Sequence, residues 1–393
     1  MNDPMDFECQ ERIRIKERPE DFIVEEILEV SHVKNDNLVF TLKKTNWDTL
    51  MAIKVMARKL GVSQKRFGFA GLKDRRAVTS QKISVYGVTE ERVAALRITR
   101  LEISEIERGD RIRVGDLSGN RFGITVKNAG GEGRIDWVRK GFPNYFGIQR
   151  FGEVRPITHL VGKLMLEKKL EEAAATFIAM PVEGEKYFHV RKRLYEDRNY
   201  AIAKQYYPKS LRYERAMIEN IEAGALSAFK ALPKRLNTLF IHALQALLFN
   251  RILARRCEEV PPYVAELEDV VVSRHLGHEA YMNVQSHNVD RINRMIPEVL
   301  PVAPIVGYKT RLHGRMKKIT EEVLEEEGLK YEDFSMPHFP SLSSRGTWRE
   351  MLGVVRDFSH ELNEKTLTLS FFLPKGCYAT TMLDYLFDRN PFM

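Results

Sequence analysis

The sequence predicts an α+β protein in which strand-rich segments from both ends of the chain form one domain, interrupted by a largely helical insertion. Three observations carry this. The first third alternates short runs of β-branched and aromatic residues with turn signals. After Gly152 the texture changes to long helical periods. Near the end a strand pattern returns in TLTLSFFLP, Thr366 to Pro374. Strands and helices do not alternate regularly, which argues against a doubly wound sheet.

Taken in order, IRI (13–15), FIVEEI (22–27) and LVFTLKK (38–44) read as strands. Asn46-Trp47-Asp48 then offers caps for a helix whose apolar positions Leu50, Ile53, Met56, Ala57 and Leu60 keep helical spacing, and Gly61 stops it. FGFAGL and QKISVYG are strand candidates on either side of Lys73-Asp74-Arg75-Arg76. A short helix at 90–96 and strands at RLEIS, RIRVG and FGITVKN follow. Beyond Gly152, HLVGKLMLEKKLEEAAATFIAM (159–180) and RLNTLFIHALQALLFNRILARR (235–256) carry amphipathic helical periods. ATTMLDYLF after Pro374 is a final short helix. No repeat or low-complexity tract interrupts this order.

A chain of 393 residues is too long for one ordinary core, so two domains are expected. Hydrophobic residues at 44% and charged residues at 30% exclude wholesale disorder. No run reads as a membrane span, and the N-terminus lacks the apolar centre of a secretion signal, so a cytoplasmic location is expected. Cys9, Cys257 and Cys377 form no CxxC pair, which removes a disulfide framework and a cysteine zinc site. The net charge of +8 is modest, but its distribution is not even. From Met51 to Lys82 there are nine Lys or Arg residues and one acid, Asp74. Acids gather elsewhere, as in EEVLEEEGLKYED (321–333). Segregation of this kind points to a polyanionic partner.

Several chemistries lack their motifs. There is no GxxxxGK[ST] loop, no GxGxxG after a strand, no HExxH and no GxSxG elbow, so no nucleotide cofactor and no metal is expected. His275 and His278, with Glu279, are the nearest approach to a ligand set; loop histidines are commoner on surfaces than on zinc. Chemistry must then come from ordinary side chains.

Asp74 stands among Lys73, Arg75 and Arg76, shortly after Gly68 and Gly71. Those cations are the neighbours that an ionised carboxylate pairs with. A fixed carboxylate suits a nucleophile or base better than a general acid. Thr79 and Gln81 can hydrogen-bond a ribose, a base edge or a phosphate. An aspartate in a basic turn is equally what a surface ion pair looks like, so the residues alone leave both readings open.

The surrounding motifs separate them. FAGLKDRRAVTSQ closely resembles the signature of the TruD family of pseudouridine synthases. KERPEDFIVEE (16–26), SGNRFGI (118–124), FPNYFGIQRFG (142–152) and FFLPKGCYATTML (371–383) resemble that family's other elements, in its order. The resemblance implies a mixed, mainly antiparallel catalytic sheet from residues 1–152 and 351–393, and an RNA-binding insertion over 153–350. It implies cofactor-free isomerisation of a tRNA uridine, usually uridine 13. Asp74 falls on the catalytic aspartate, either attacking C1′ or removing the 2′ proton. Lys16 is the candidate cation holding Asp74, with Arg18 competing. Phe122 would stack on the uracil. Asn120 would read its edge or hold its own turn, and Gln149 and Arg150 would touch RNA backbone or buttress the pocket. Asn144 offers a polar contact, Phe372 and Leu373 apolar walls.

For RNA, Lys54, Arg58, Lys65, Arg66, Lys73, Arg75 and Arg76 are expected to meet phosphates. A second region, Lys186 to Arg215, interleaves nine basic residues with seven aromatics, including Tyr187, Phe188, Tyr195, Tyr206 and Tyr207. There Arg191, Lys192 and Arg193 are the expected contacts, while the aromatics pack inward. A partner tRNA, no membrane and no metal follow; nothing in the sequence speaks to oligomeric state. The competing function is a non-catalytic RNA-binding or RNA-chaperone protein, against which the intact Lys73-Asp74 pair with Thr79 and Gln81 argues. A cofactor-dependent RNA methyltransferase lacks its glycine-rich motif.

Overall fold

The computed structural model describes residues 13–129, 131, 133–273 and 280–389; Cys9, His275, His278 and Glu279 lie outside them. The chain divides into two compact units. One comprises the residues up to Phe142 with Gly353–Arg389, and the other is Pro143–Leu352.

In the first unit β1 (Phe22–Ile27) alternates buried and exposed side chains, as FIVEEI dictates for a half-buried strand. It is followed by β2 (Asn37–Thr45) and α1 (Thr49–Leu60). The Asp48 side chain caps α1 by accepting from the Met51 N–H, and Gly61 ends it at φ 65°, a conformation that favours glycine. β3 (Val78–Tyr86), β4 (Leu101–Gly109) and β5 (Gly119–Lys127) complete this passage. Arg111–Gly115 forms no strand, contrary to expectation. Its polar groups are drawn sideways: the Ile112 N–H donates to Ser84 Oγ, and Arg111 donates to the carbonyls of Lys65 and Phe67.

In the second unit the expected helix over 159–180 is two, α2 (Thr158–Leu166) and α3 (Leu170–Ala179). The chain turns at Lys168, whose φ of 62° is incompatible with a continuing right-handed helix. Next come α4 (Phe188–Asp197) and α5 (Lys234–Glu259). By length and composition α5 meets the criterion for a membrane span, contrary to the sequence reading. Its most apolar window is 67% buried, so in this fold its apolar content serves the unit's core. The insertion also holds a sheet with no counterpart in the sequence reading: β6 (Val270–Ser273), β7 (Ala280–Asn283), β8 (Val299–Ile305) and, after α6 (Gly314–Glu326), β9 (Thr347–Glu350). The order is β7-β6-β8-β9, all antiparallel.

The chain then returns to the first unit through β10 (Arg356–Asn363), β11 (Thr366–Pro374) and α7 (Ala379–Leu386). The sheet order is β10-β11-β5-β1-β3-β2-β4, extended by two short strands, Arg14–Ile15 and Phe67–Phe69. The β1–β3 pair is parallel and the other neighbours are antiparallel, giving the mixed, mainly antiparallel sheet that the motifs implied. Two apolar cores rest on it. Ile53, Met56 and Leu60 of α1 pack with Phe40, Leu42 and Ile83. Met382, Leu383 and Leu386 of α7 pack with Phe122, Ile124 and Phe371.

In the second unit, Arg256 and Asp269 form a buried ion pair at 2.7 Å, with Arg256 also donating to the carbonyls of Val260 and Val264. Removing one partner strands the other in a medium that cannot solvate it. Asp269→Ala is expected to lower unfolding stability by about 3–5 kcal/mol, read from urea denaturation; a loss below about 1 kcal/mol would show the pair to be dispensable.

Candidate active site

The site is written first in the register of the sheet. Lys44 lies opposite Thr79, Thr79 beside Val24, Val24 opposite Phe122, and Phe122 opposite Phe371. Cross-strand partners share a face, so these five residues form one row across β2, β3, β1, β5 and β11. Glu26 and Asn120, also opposite one another, lie two residues along on the same face. This face therefore carries a polar set, Gln81 of β3 included, on strands whose other residues on that face are apolar.

Over it lies the loop Gly71–Asp74, held by side chains instead of a ladder. The Lys44 side chain is fully buried. Its Nζ donates to the carbonyls of Trp47 at 2.6 Å, Asp74 at 2.9 Å and Lys73 at 3.4 Å. Gln81 uses both ends of its amide: Nε2 donates to the Gly71 carbonyl, and Oε1 accepts from Thr49 Oγ1, which in turn accepts from the Lys73 N–H. Lys73 points inward, with Nζ 2.6 Å from Asn120 Oδ1 and 2.7 Å from Glu26 Oε2. Burial raises the Glu26 pKa above the usual carboxylate range, while the Lys73 ammonium opposes that rise. Gly68 is required for a local reason: a Cβ there would lie 2.3 Å from the Ile112 carbonyl oxygen.

With its backbone so fixed, Asp74 presents a carboxylate 32% exposed, and Lys16 Nζ lies 2.8 Å from its Oδ2. Lys16 stands at φ 61° and its Nζ sits 3.8 Å above the Phe22 ring, a cation–π contact that fixes the ammonium from a second direction. Phe22 meets Phe122 edge-on at 6.0 Å, and Phe122 stacks on Phe371 at 5.3 Å and 24°. Phe122 keeps 8% of its surface exposed. Carboxylate, ammonium and aromatic rings thus connect through direct contacts.

The structure redistributes several expected roles. Of the two cations proposed beside Asp74, Lys16 forms the pair, while Arg18 is exposed and closes a turn with Asp21. Thr79 and Gln81 are 0% and 1% exposed, so neither offers a surface to a ligand here; Gln81 braces the loop instead. Lys73 is no surface cation, because Glu26 and Asn120 hold it inside. Lys54, Arg58, Lys65, Arg66, Arg75 and Arg76 are exposed, as phosphate contacts require. In the second unit Arg191 is 2% exposed and bound to Glu185, Glu214 and the Ile178 carbonyl, a structural role. Lys192 and Arg193 remain exposed, and Arg193 stacks on Tyr206 at 4.3 Å. Gln149 and Arg150 lie on a single helical turn of that unit, Ile148–Arg150. Lys44 and Glu26 were missed by sequence reasoning, although strand alternation places Lys44 on the face of Leu42 and Phe40. No group of three or more His, Cys, Asp or Glu residues is placed to hold a metal among the described residues.

Comparison with known proteins agrees with the motifs. The family model for tRNA pseudouridine synthase D (TruD) matches residues 10–385. A protein of Pyrococcus abyssi named as a probable tRNA pseudouridine synthase D is 40% identical over 385 residues, covering 94% of this chain and 95% of its own length. The Archaeoglobus fulgidus protein of the same name is 37% identical over 387 residues, covering 94% and 93%. A crystal structure assigned as the Methanosarcina mazei tRNA pseudouridine synthase D superposes with a TM-score of 0.80 at 35% identity, covering 96% of this chain and 94% of that one.

The buried Lys44 amine supplies a test of this geometry. Burial brings its pKa down from the ordinary 10.5 to about 8. Between those values the unfolded chain binds the extra proton, so this group makes stability rise with pH. Above 10.5 the penalty is gone, and below about 8 it is fully present. Wild-type stability relative to Lys44→Met is therefore expected to climb from pH 8 to 10, measured by urea denaturation; a flat or falling difference contradicts the assignment.

Proposed function

The chain belongs to the TruD family of tRNA pseudouridine synthases, and from that membership we propose that it isomerises a uridine in tRNA to pseudouridine, uridine 13 being the target, with Asp74 as the reacting group. The observation that carries the reading is the Lys16–Asp74 pair, a partly exposed carboxylate on a braced loop whose lysine partner sits over Phe22, the ring that meets Phe122.

The reaction breaks N1–C1′, turns the uracil and joins C5 to C1′; the C5 proton is lost and a proton is returned at N1, so no atom is gained overall. Asp74 acts at the ribose, either by bonding to C1′ and leaving again, or by removing the 2′ proton and restoring it. Hydrolytic glycosidases use two carboxylates because water is their acceptor. Here the base itself is the acceptor, so one carboxylate serves, provided that the uracil stays bound. Phe122 is the ring on which it turns, and Asn120, held by Lys73, is the amide at its edge. A base in folded RNA must first leave its stack, at a cost of a few kcal/mol. Exposed Arg58, Lys65, Arg75 and Arg76 supply phosphate contacts that offset it. A protein that only binds RNA has no need of an inward Lys44 holding one carboxylate's backbone.

Incubation with an unmodified tRNA transcript, followed by carbodiimide mapping and primer extension, is expected to give one pseudouridine stop with wild type and none with Asp74→Ala, at equal tRNA affinity. A stop with the variant removes Asp74 from the chemistry. No stop with either protein favours the binding-only reading.

Lys16→Met frees the carboxylate to turn, and misplacement of a reacting group by about 1 Å costs roughly a hundredfold in rate. Its single-turnover rate is expected to fall by that order, with partial recovery in Lys16→Arg and unchanged tRNA affinity. A wild-type rate in Lys16→Met would make the pair incidental.

A further inference from the structure

The sheet of the second unit carries an aromatic cavity that the proposed chemistry does not use. Tyr281 on β7 lies opposite Val272, Val302 on β8 opposite Val270, and Trp348 on β9 opposite Pro304. Alternation puts all six side chains on one face. The two large rings reach toward each other above the small residues between them, with centroids 6.5 Å apart at 35°. Between these rings and the segment Arg311–Met316 lies a cavity of about 300 Å³, at whose edge stand Glu268, Asn283 and His313. That is the small end of the range for ligand pockets, about 300–1,000 Å³.

A ring pair serving only to cover a sheet is buried by what packs on it. Here Tyr281 is 43% exposed, and all four residues of β7 are exposed. The adjoining segment Gly307–Thr320 contains five Lys or Arg residues and no acid, with Lys309 and Arg311 exposed. Flat aromatic walls, an amide and a carboxylate at the rim, and cations alongside match a nucleobase with its phosphate. A free phosphate does not need the rings, and an apolar peptide does not need the cations.

We propose that this cavity receives one unstacked base of the RNA substrate, held against the Tyr281 and Trp348 rings, with Asn283 and Glu268 at its hydrogen-bonding edge and Arg311 at its phosphate. This rests on the reading of the chain as a tRNA-modifying enzyme, and it adds a site in the second unit apart from the reacting uridine's. Stacking on one aromatic side chain accounts for about a tenfold change in affinity per base.

The test uses the full chain and a single-stranded hexanucleotide of adenosine and uridine. Trp348 is one of three tryptophans, so its emission is isolated by difference against Trp348→Phe. Quenching of the Trp348 component is expected, absent with inorganic tripolyphosphate, and weakened about tenfold in Tyr281→Leu. With the tRNA transcript, KM of Tyr281→Leu is expected to rise about tenfold while kcat holds. No quenching by the hexanucleotide, an equal effect of tripolyphosphate, or an unchanged KM overturns the proposal. Quenching without any pseudouridine formation would leave the cavity standing and remove the enzymatic reading; pseudouridine without quenching would do the reverse.

Discussion

The register of five strands is the constraint on which the site depends. Side chains alternate faces along a strand, so a slip of one residue in β3 or β5 would turn Gln81, Asn120 and Phe122 away and bring their neighbours inward. The apolar residues on the same strands forbid such a slip: Ile83, Val85, Ile124 and Val126 are 0% exposed, and each would be exchanged for a neighbour. The two cores therefore set the position of the polar row between them. The geometry of the proposed site is a by-product of hydrophobic register, and it needs no strand of its own.

Three lysines then share one task around the loop of Asp74. Lys44 fixes the backbone from below, Lys73 ties the loop to Glu26 and Asn120, and Lys16 meets the carboxylate from the solvent side. Burying an ammonium is costly unless its donors are matched, and each of these amines is matched by carbonyl or carboxylate oxygens. The Lys16–Asp74 side chains are 21% and 32% exposed, which leaves the carboxylate reachable, while those of Lys73 and Glu26 are 5% and 0% exposed.

Much of this was legible in the residues. The helix from Thr49 to Leu60 follows from Asp48, its apolar spacing and Gly61, and FIVEEI and TLTLSFFLP are strands by alternation. Asp74 was legible only through its companion motifs, since a lone acid among cations has an ordinary surface explanation. Lys73 read as a surface cation because its acidic partner, Glu26, is 47 residues away in sequence, and Arg191 because its partners, Glu185 and Glu214, lie 6 and 23 residues away off its own helix. Lys44 was hidden by the same prejudice about charge, although its place two residues after Leu42 marked it as inward. The sheet of the second unit escaped because VVVS and AYMN are short, and because β7 is exposed on both faces.

The central claim is that one carboxylate, fixed by lysines, acts at the ribose. Its most direct measurement is release of tritium from C5-labelled uridine in tRNA, with Asp74→Asn in excess over RNA so that every transcript is bound. Joining C5 to C1′ must expel that hydrogen. The account predicts release by wild type and none above background by Asp74→Asn, which keeps shape and hydrogen bonding but not charge. Release by the variant at the wild-type rate would contradict it.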